Sequence, residues 1–105
     1  MVSKGNAHKH AQALLDFIDD SPSPWHAVNS IKQQLLASGF TELLESDAWN
    51  LSAGSSYFVI RGGSSIIAFR YGKAPIVDTG IRIIGAHTDS PGLRIKPNPT
   101  SVDPW

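Results

Sequence analysis

A histidine and an aspartate two residues apart, His87 and Asp89, form the pair in this sequence that is best suited to chemistry. They follow an apolar stretch, Ile81 to Ala86, and in open α/β sheets ligands bind in the crevice beyond the strand ends. A carboxylate beside an imidazole accepts a hydrogen from one ring nitrogen, which leaves the other nitrogen free to bind zinc. Spacing alone leaves a second interpretation open, in which both residues cap a strand and satisfy turn amides.

The remaining histidines indicate structural roles. His8 and His10 are two apart, which on a helix places them on different faces, and we expect them to be solvated. His26 falls in the first turn of a predicted helix, where its ring helps to satisfy free backbone groups; lining a pocket beside Trp25 is the alternative. Ser90 lacks the flanking glycines of a nucleophile elbow, so a serine hydrolase is rejected.

Composition limits the possible partners and metal ligands. The chain has 105 residues, 41% of them hydrophobic, a formal net charge of zero and no cysteine. One domain at most fits this length. Without cysteine, only His, Asp or Glu can hold a metal. Balanced charge argues against nucleic-acid or anionic-membrane partners, and no bilayer-length apolar run or secretory signal is found, so a cytoplasmic location is predicted.

Two helices are predicted in the first half of the chain. Apolar residues at i, i+3, i+4 and i+7 indicate a helix over residues 7–20. The Ser21-Pro22-Ser23-Pro24 segment interrupts it, with Ser23 as N-cap and Pro24 as first residue of a second helix. Gly39 is placed to end that second helix in the left-handed conformation.

Extended structure is predicted beyond residue 50. Two β-branched or aromatic runs, 57–60 and 65–70, flank a Gly62-Gly63 turn and indicate a hairpin. The apolar stretch Ile81 to Ala86 predicts a further strand, covered on both faces, that leads into His87. Leu93 to Lys96 alternates and is a candidate short edge strand in a proline-rich tail. The fold class is therefore α/β, with two N-terminal helices followed by strands of a mixed sheet.

A longer pattern surrounds the His87 and Asp89 pair. The sequence from Gly85 to Pro99, GAHTDSPGLRIKPNP, resembles the first zinc-ligand motif of the aspartyl aminopeptidase family, which are dinuclear zinc exopeptidases of the α/β kind. Upstream segments resemble the same family in the same order, so that residues 12–99 are covered. They are LDFI (15–18), SPSPWHAV (21–28), WNL (49–51), YFV (57–59) with Arg61, and SSIIAF (64–69).

The resemblance implies a hydrolase that removes the N-terminal residue, often an acidic one, from a peptide substrate with two zinc ions. It assigns His87 as a zinc ligand and Asp89 as the carboxylate that orients it, a catalytic role. The family's general-base glutamate and other ligands belong to later parts of its sequence. It also implies a homo-oligomer for the complete enzyme.

Residues 1–105 are accordingly interpreted as the N-terminal segment of an incomplete zinc-peptidase catalytic domain, a fragment that we expect to be inactive alone. The sequence departs from the family after Pro99, and we expect a truncated product of an aminopeptidase-type gene. An alternative is a non-catalytic truncated subunit or remnant that associates with intact homologues through unpaired strand edges. A third interpretation is a small α/β domain without activity.

Overall fold

The computed structural model describes residues 3–98 and contains helices followed by a small mixed sheet. The predicted fold class is confirmed, because two N-terminal helices precede strands that pair in both parallel and antiparallel fashion. In chain order the elements are α1 (Lys4–Asp19), α2 (Pro24–Ala37), β1 (Thr41–Leu43), β2 (Ser56–Arg61), β3 (Ser65–Arg70) and α3 (Ile76–Thr79).

Helix α1 starts three residues earlier than predicted. Ser3 explains the difference, because its side chain accepts a hydrogen bond from the Asn6 amide and caps the helix. The predicted apolar face is present, but no residue of α1 is buried, and Leu14, Leu15 and Ile18 remain more than half exposed. No helix among residues 3–98 is long and apolar enough to cross a membrane.

Helix α2 has the predicted ends. The Ser23 side chain accepts a hydrogen bond from the His26 amide, and Pro24 is the first helical residue. At the other end Gly39 has a φ of +83°, and the amide of Phe40 donates to the Leu35 carbonyl at 3.0 Å. This is the Schellman arrangement, which satisfies carbonyls that a helix leaves free.

The sheet has the order β1-β2-β3. Strand β1 runs parallel to β2, and β2 pairs with β3 in an antiparallel hairpin whose register places Arg61 opposite Ser65. The predicted glycine turn joins the hairpin, with Gly62 and Gly63 at φ values of +59° and +70°. Positive φ is readily available only to glycine, so this turn explains why two glycines stand there.

The core lies between α2 and the sheet. Val28 is 2% exposed and Phe58 is fully buried, and α2 contacts both β1 and β3. Across the hairpin, Tyr57 packs against Phe69 with ring centroids 5.7 Å apart. The Ser52 amide donates to the Tyr57 hydroxyl at 2.8 Å, which lowers the pKa of that phenol below its usual value. The small size of this core leaves most other apolar side chains near solvent.

The prediction of a strand over Ile81 to Ala86 is wrong, because this segment is irregular and exposed in the structure. Strands require hydrogen-bond partners alongside, and no strand among residues 3–98 lies next to this one. Leu93 to Lys96 likewise forms no edge strand. The short helix α3, which was not predicted, follows Pro75 as its N-cap.

Replacing Gly63 with alanine tests whether the hairpin turn supports the fold. Gly63 has a φ of +70°, and a Cβ added there would lie 3.1 Å from Cδ1 of Trp25. We expect Gly63→Ala to lower the free energy of unfolding by roughly 1–2 kcal/mol, the cost of the left-handed conformation for a non-glycine residue.

Gly5→Ala is the matched control, because Gly5 lies in α1 and a Cβ there meets nothing within 4 Å. Alanine is favoured over glycine in helices, so this variant should be as stable as the unaltered chain or more so. Urea denaturation followed by circular dichroism measures both. Equal stability of Gly63→Ala and the unaltered chain would contradict the prediction.

Candidate metal-ligand site

The imidazole of His87 contacts Asp89 through one ring nitrogen. Nδ1 lies 2.7 Å from the Asp89 main-chain carbonyl oxygen and 3.3 Å from its Oδ1. Both of these oxygens are acceptors, so the hydrogen must be carried by Nδ1. That tautomer leaves the lone pair on Nε2, and the His87 side chain is 80% exposed. The nearer acceptor is the main-chain oxygen, so the predicted contact between the ring and the carboxylate is the longer of the two.

The pair does not follow a strand end, and the residue between its members, Thr88, contacts the hairpin. Residues 81–98 are all exposed apart from Thr88, which is partly buried. Its hydroxyl donates a hydrogen bond to the Ser64 carbonyl at 2.9 Å, next to the hairpin turn. The sequence pattern identified His87 and Asp89, but not the residue between them as an anchor.

A groove of about 420 Å³ lies beside the pair. It runs between the α1–α2 connection and the segment that follows His87. It is lined by Ser21, Pro22, Ser23, Pro24, Trp25, Thr88, Ser90, Pro91, Gly92, Leu93 and Arg94. The guanidinium of Arg94 lies 5.9 Å from the centre of the Trp25 ring, within the range of a cation–π contact. The sequence pattern placed Trp25 beside a possible pocket but did not indicate that Arg94 would contact it.

The ring of His26 contacts a side chain and not the free backbone groups predicted for it. Its Nδ1 lies 2.6 Å from the Ser23 hydroxyl, which is also the N-cap of α2. His26 does not line the groove, although its neighbour Trp25 does. His8 and His10 are exposed on α1, as expected.

The described residues fit the contribution of one zinc ligand. His87 offers an exposed Nε2, and Asp89 holds its ring from the other side. Catalytic zinc sites have three protein ligands and an open position. Within residues 3–98, no group of three or more histidine, cysteine, aspartate or glutamate side chains is placed to hold a metal ion. The roles of His87 as a zinc ligand and of Asp89 as its orienting carboxylate stay predictions, and residues 3–98 hold no complete donor set.

Comparison with known proteins gives the family. Residues 17–104 match the sequence profile of the aminopeptidase I zinc metalloprotease family, M18. The chain is 53% identical over 88 residues to a protein named Probable M18 family aminopeptidase 2 from Ectopseudomonas mendocina, covering 84% of this chain and 20% of that protein. It is 48% identical over 97 residues to the protein of the same name from Clostridium acetobutylicum, covering 92% of this chain and 22% of that one.

Solved structures agree with this result. One, described as the cryo-EM structure of the Ape4 and Nbr1 complex, matches with a TM-score of 0.59 and 45% identity over 60% of this chain and 12% of that one. Another, the structure of Chaetomium thermophilum mApe1, matches with a TM-score of 0.57 and 46% identity over 58% of this chain and 14% of that one.

The chain belongs to the M18 family of zinc metalloproteases, whose members are aminopeptidases and hence hydrolases. The resemblance read from the sequence is thereby confirmed. The chain spans about a fifth of the length of the curated relatives that it matches.

Proposed function

We propose that this chain supplies one zinc ligand, His87, and the carboxylate that orients it, Asp89, to the active site of an M18 aminopeptidase. The supporting observation is that His87 Nδ1 lies 2.7 Å from the Asp89 main-chain oxygen and 3.3 Å from its carboxylate, on an exposed side chain within the segment that matches the family. The substrate is a peptide whose N-terminal residue, often an acidic one, is removed. A cytoplasmic location and a second zinc ion remain predictions from the sequence.

In this function His87 holds the metal, Asp89 orients the His87 ring, and neither contacts the substrate. The Asp89 main-chain carbonyl accepts the Nδ1 hydrogen, with the carboxylate 3.3 Å from the same nitrogen, so the His87 ring is held in one tautomer and its Nε2 becomes a better donor to a metal. The chemistry that bound zinc supplies is Lewis acidity toward the scissile carbonyl and activation of water. General-base catalysis and the remaining ligands fall to parts of the family's sequence outside the motif found here.

The isolated 105-residue chain is expected to be inactive, because one imidazole is too few ligands for a catalytic zinc site. We predict that it binds zinc no more tightly than a single free histidine does. We also predict that it releases no aspartate from a peptide with N-terminal aspartate. Calorimetric zinc titration and amino-acid analysis measure the two quantities. Zinc-dependent release of aspartate by the purified chain would overturn the expectation of inactivity.

A chimera tests the role of His87 in a complete enzyme. In the Ectopseudomonas mendocina relative, the aligned segment is replaced by the 88 residues of this chain that match it at 53% identity. We expect this chimera to hydrolyse N-terminal residues from peptides and to retain zinc. His87→Ala should abolish both properties, and Asp89→Asn should weaken zinc binding by about 10- to 100-fold, as loss of an orienting partner does.

His26→Ala is the matched control for that experiment. It also removes an exposed imidazole, but one whose ring contacts Ser23 at the start of α2 and not the candidate ligand pair. Activity close to that of the unaltered chimera is expected. If His87→Ala retains zinc and activity as well as His26→Ala does, His87 is not a zinc ligand.

A second candidate function is association with intact M18 subunits, and the exposed apolar side chains of residues 81–95 favour it. Ile83 and Ile84 are 85% and 101% exposed, and exposed apolar patches mark interaction surfaces. A homo-oligomer of the complete enzyme would offer such a partner.

Co-expression of the tagged chain with the intact Clostridium relative measures this association. We expect the relative to co-purify with the unaltered chain, and Ile83→Lys to reduce its recovery several-fold because a charge is poorly tolerated in a buried apolar contact. Val77→Lys is the control, since Val77 is 87% exposed but lies in α3, outside the segment. Recovery of the chain as a monomer without the relative would remove this candidate.

A further inference from the structure

The segment that carries His87 is tied to the rest of the described chain by one hydrogen bond. Among residues 3–98, the bond from the Thr88 hydroxyl to the Ser64 carbonyl is the sole hydrogen bond joining residues 81–98 to the preceding elements. Its length is 2.9 Å and it is partly buried. Loss of this bond would leave the segment without a directional attachment to the sheet.

The location of Thr88 makes that attachment relevant to the ligand pair. Thr88 lies between His87 and Asp89, whose side chains contact each other. Its own side chain contacts the hairpin instead. The bond from Thr88 therefore restrains the backbone at the residue that adjoins both His87 and Asp89.

The acceptor is itself held by the hairpin turn and by Trp25. Ser64 follows Gly62 and Gly63, which adopt positive φ values and set the path of the turn. The Trp25 ring lies so close to Gly63 that a Cβ there would be 3.1 Å from it. The Ser64 carbonyl is thus presented by a turn whose shape is constrained on two sides, which makes it a stable reference point for Thr88.

A second contact also attaches the segment to the preceding elements, further along the chain. Arg94 lies over the ring of Trp25, the residue that also packs on the turn. The segment is therefore attached at residue 88 by a hydrogen bond and at residue 94 by a cation–π contact, with the groove between them. Of the two, only the Thr88 bond is adjacent to the ligand pair.

We propose that Thr88 is a positioning residue for His87: its hydrogen bond to the Ser64 carbonyl anchors the His87-Thr88-Asp89 segment to the hairpin turn and so aims the His87 imidazole at the metal. The proposal rests on the proposed function of His87 as a zinc ligand. Thr88 touches neither substrate nor metal in this role.

Zinc affinity in the chimera described above tests the proposal, with chelator competition as the measurement. We expect Thr88→Val, which keeps the shape of the side chain but removes the donor, to weaken zinc binding about 10-fold, at the lower end of the range for partners that orient a ligand. Thr88→Ser restores the hydroxyl and should bind zinc within about 2-fold of the unaltered chimera, since a hydroxyl is the group that donates the bond.

Thr79→Val is the matched control, carried out in the same chimera. Thr79 also donates its hydroxyl to a main-chain carbonyl, that of Pro75 at 3.3 Å, but within its own turn. It should leave zinc affinity unchanged. Unchanged affinity in Thr88→Val, with zinc lost in His87→Ala, would overturn the positioning role alone. Unchanged affinity in His87→Ala would instead overturn the proposed function.

The isolated chain provides a readout that does not depend on zinc and that the unaltered sequence already gives. Nuclear Overhauser contacts between the Thr88 methyl group and residues 64–65 are expected in the unaltered chain, because the Thr88 hydroxyl reaches the Ser64 carbonyl. In Thr88→Ser these contacts should persist and be observed through the serine β-hydrogens. In Thr88→Val they should be lost. Their absence from the unaltered chain would also overturn the proposal.

Discussion

The tight turn between β2 and β3 is the constraint on which the rest of the structure depends. Two consecutive glycines at positive φ reverse the chain within the space left by the Trp25 ring. Because Trp25 stands in the first turn of α2, the turn connects the helical part of the molecule to the sheet. The next residue, Ser64, supplies the carbonyl that receives Thr88. One local geometry therefore fixes the helix, the hairpin and the segment with the candidate ligand relative to one another.

Features determined by neighbouring residues were predictable from the sequence. The N-cap Ser23, the terminal Gly39 and the glycine hairpin each depend on backbone groups within a few residues, so their patterns are sufficient. The strand over Ile81 to Ala86 is different, because a strand exists only where another strand accepts its hydrogen bonds. Its apolar composition is typical of a buried strand, but residues 3–98 provide neither a neighbouring strand nor cover for these side chains.

The candidate site divides in the same way. The contact between His87 and Asp89 joins residues two apart, and the sequence predicted a contact with the carboxylate, although the main-chain oxygen of Asp89 lies closer. The bond from Thr88 spans 24 residues, and the stacking of Arg94 on Trp25 spans an even longer separation. Neither leaves a local pattern, since a main-chain carbonyl such as that of Ser64 is present at every residue. Contacts between distant residues are thus harder to predict from sequence than contacts between near neighbours.

The separation between local and distant contacts also explains how a candidate ligand pair occurs among residues 3–98 without a complete metal site. The tautomer of His87 is set by its own near neighbour and requires nothing else from the protein. Binding of zinc requires several donors to converge, and their convergence depends on long-range packing. Residues 3–98 provide one donor on a segment held at Thr88. A histidine can therefore have a defined tautomer from its near neighbour although residues 3–98 provide no complete metal site.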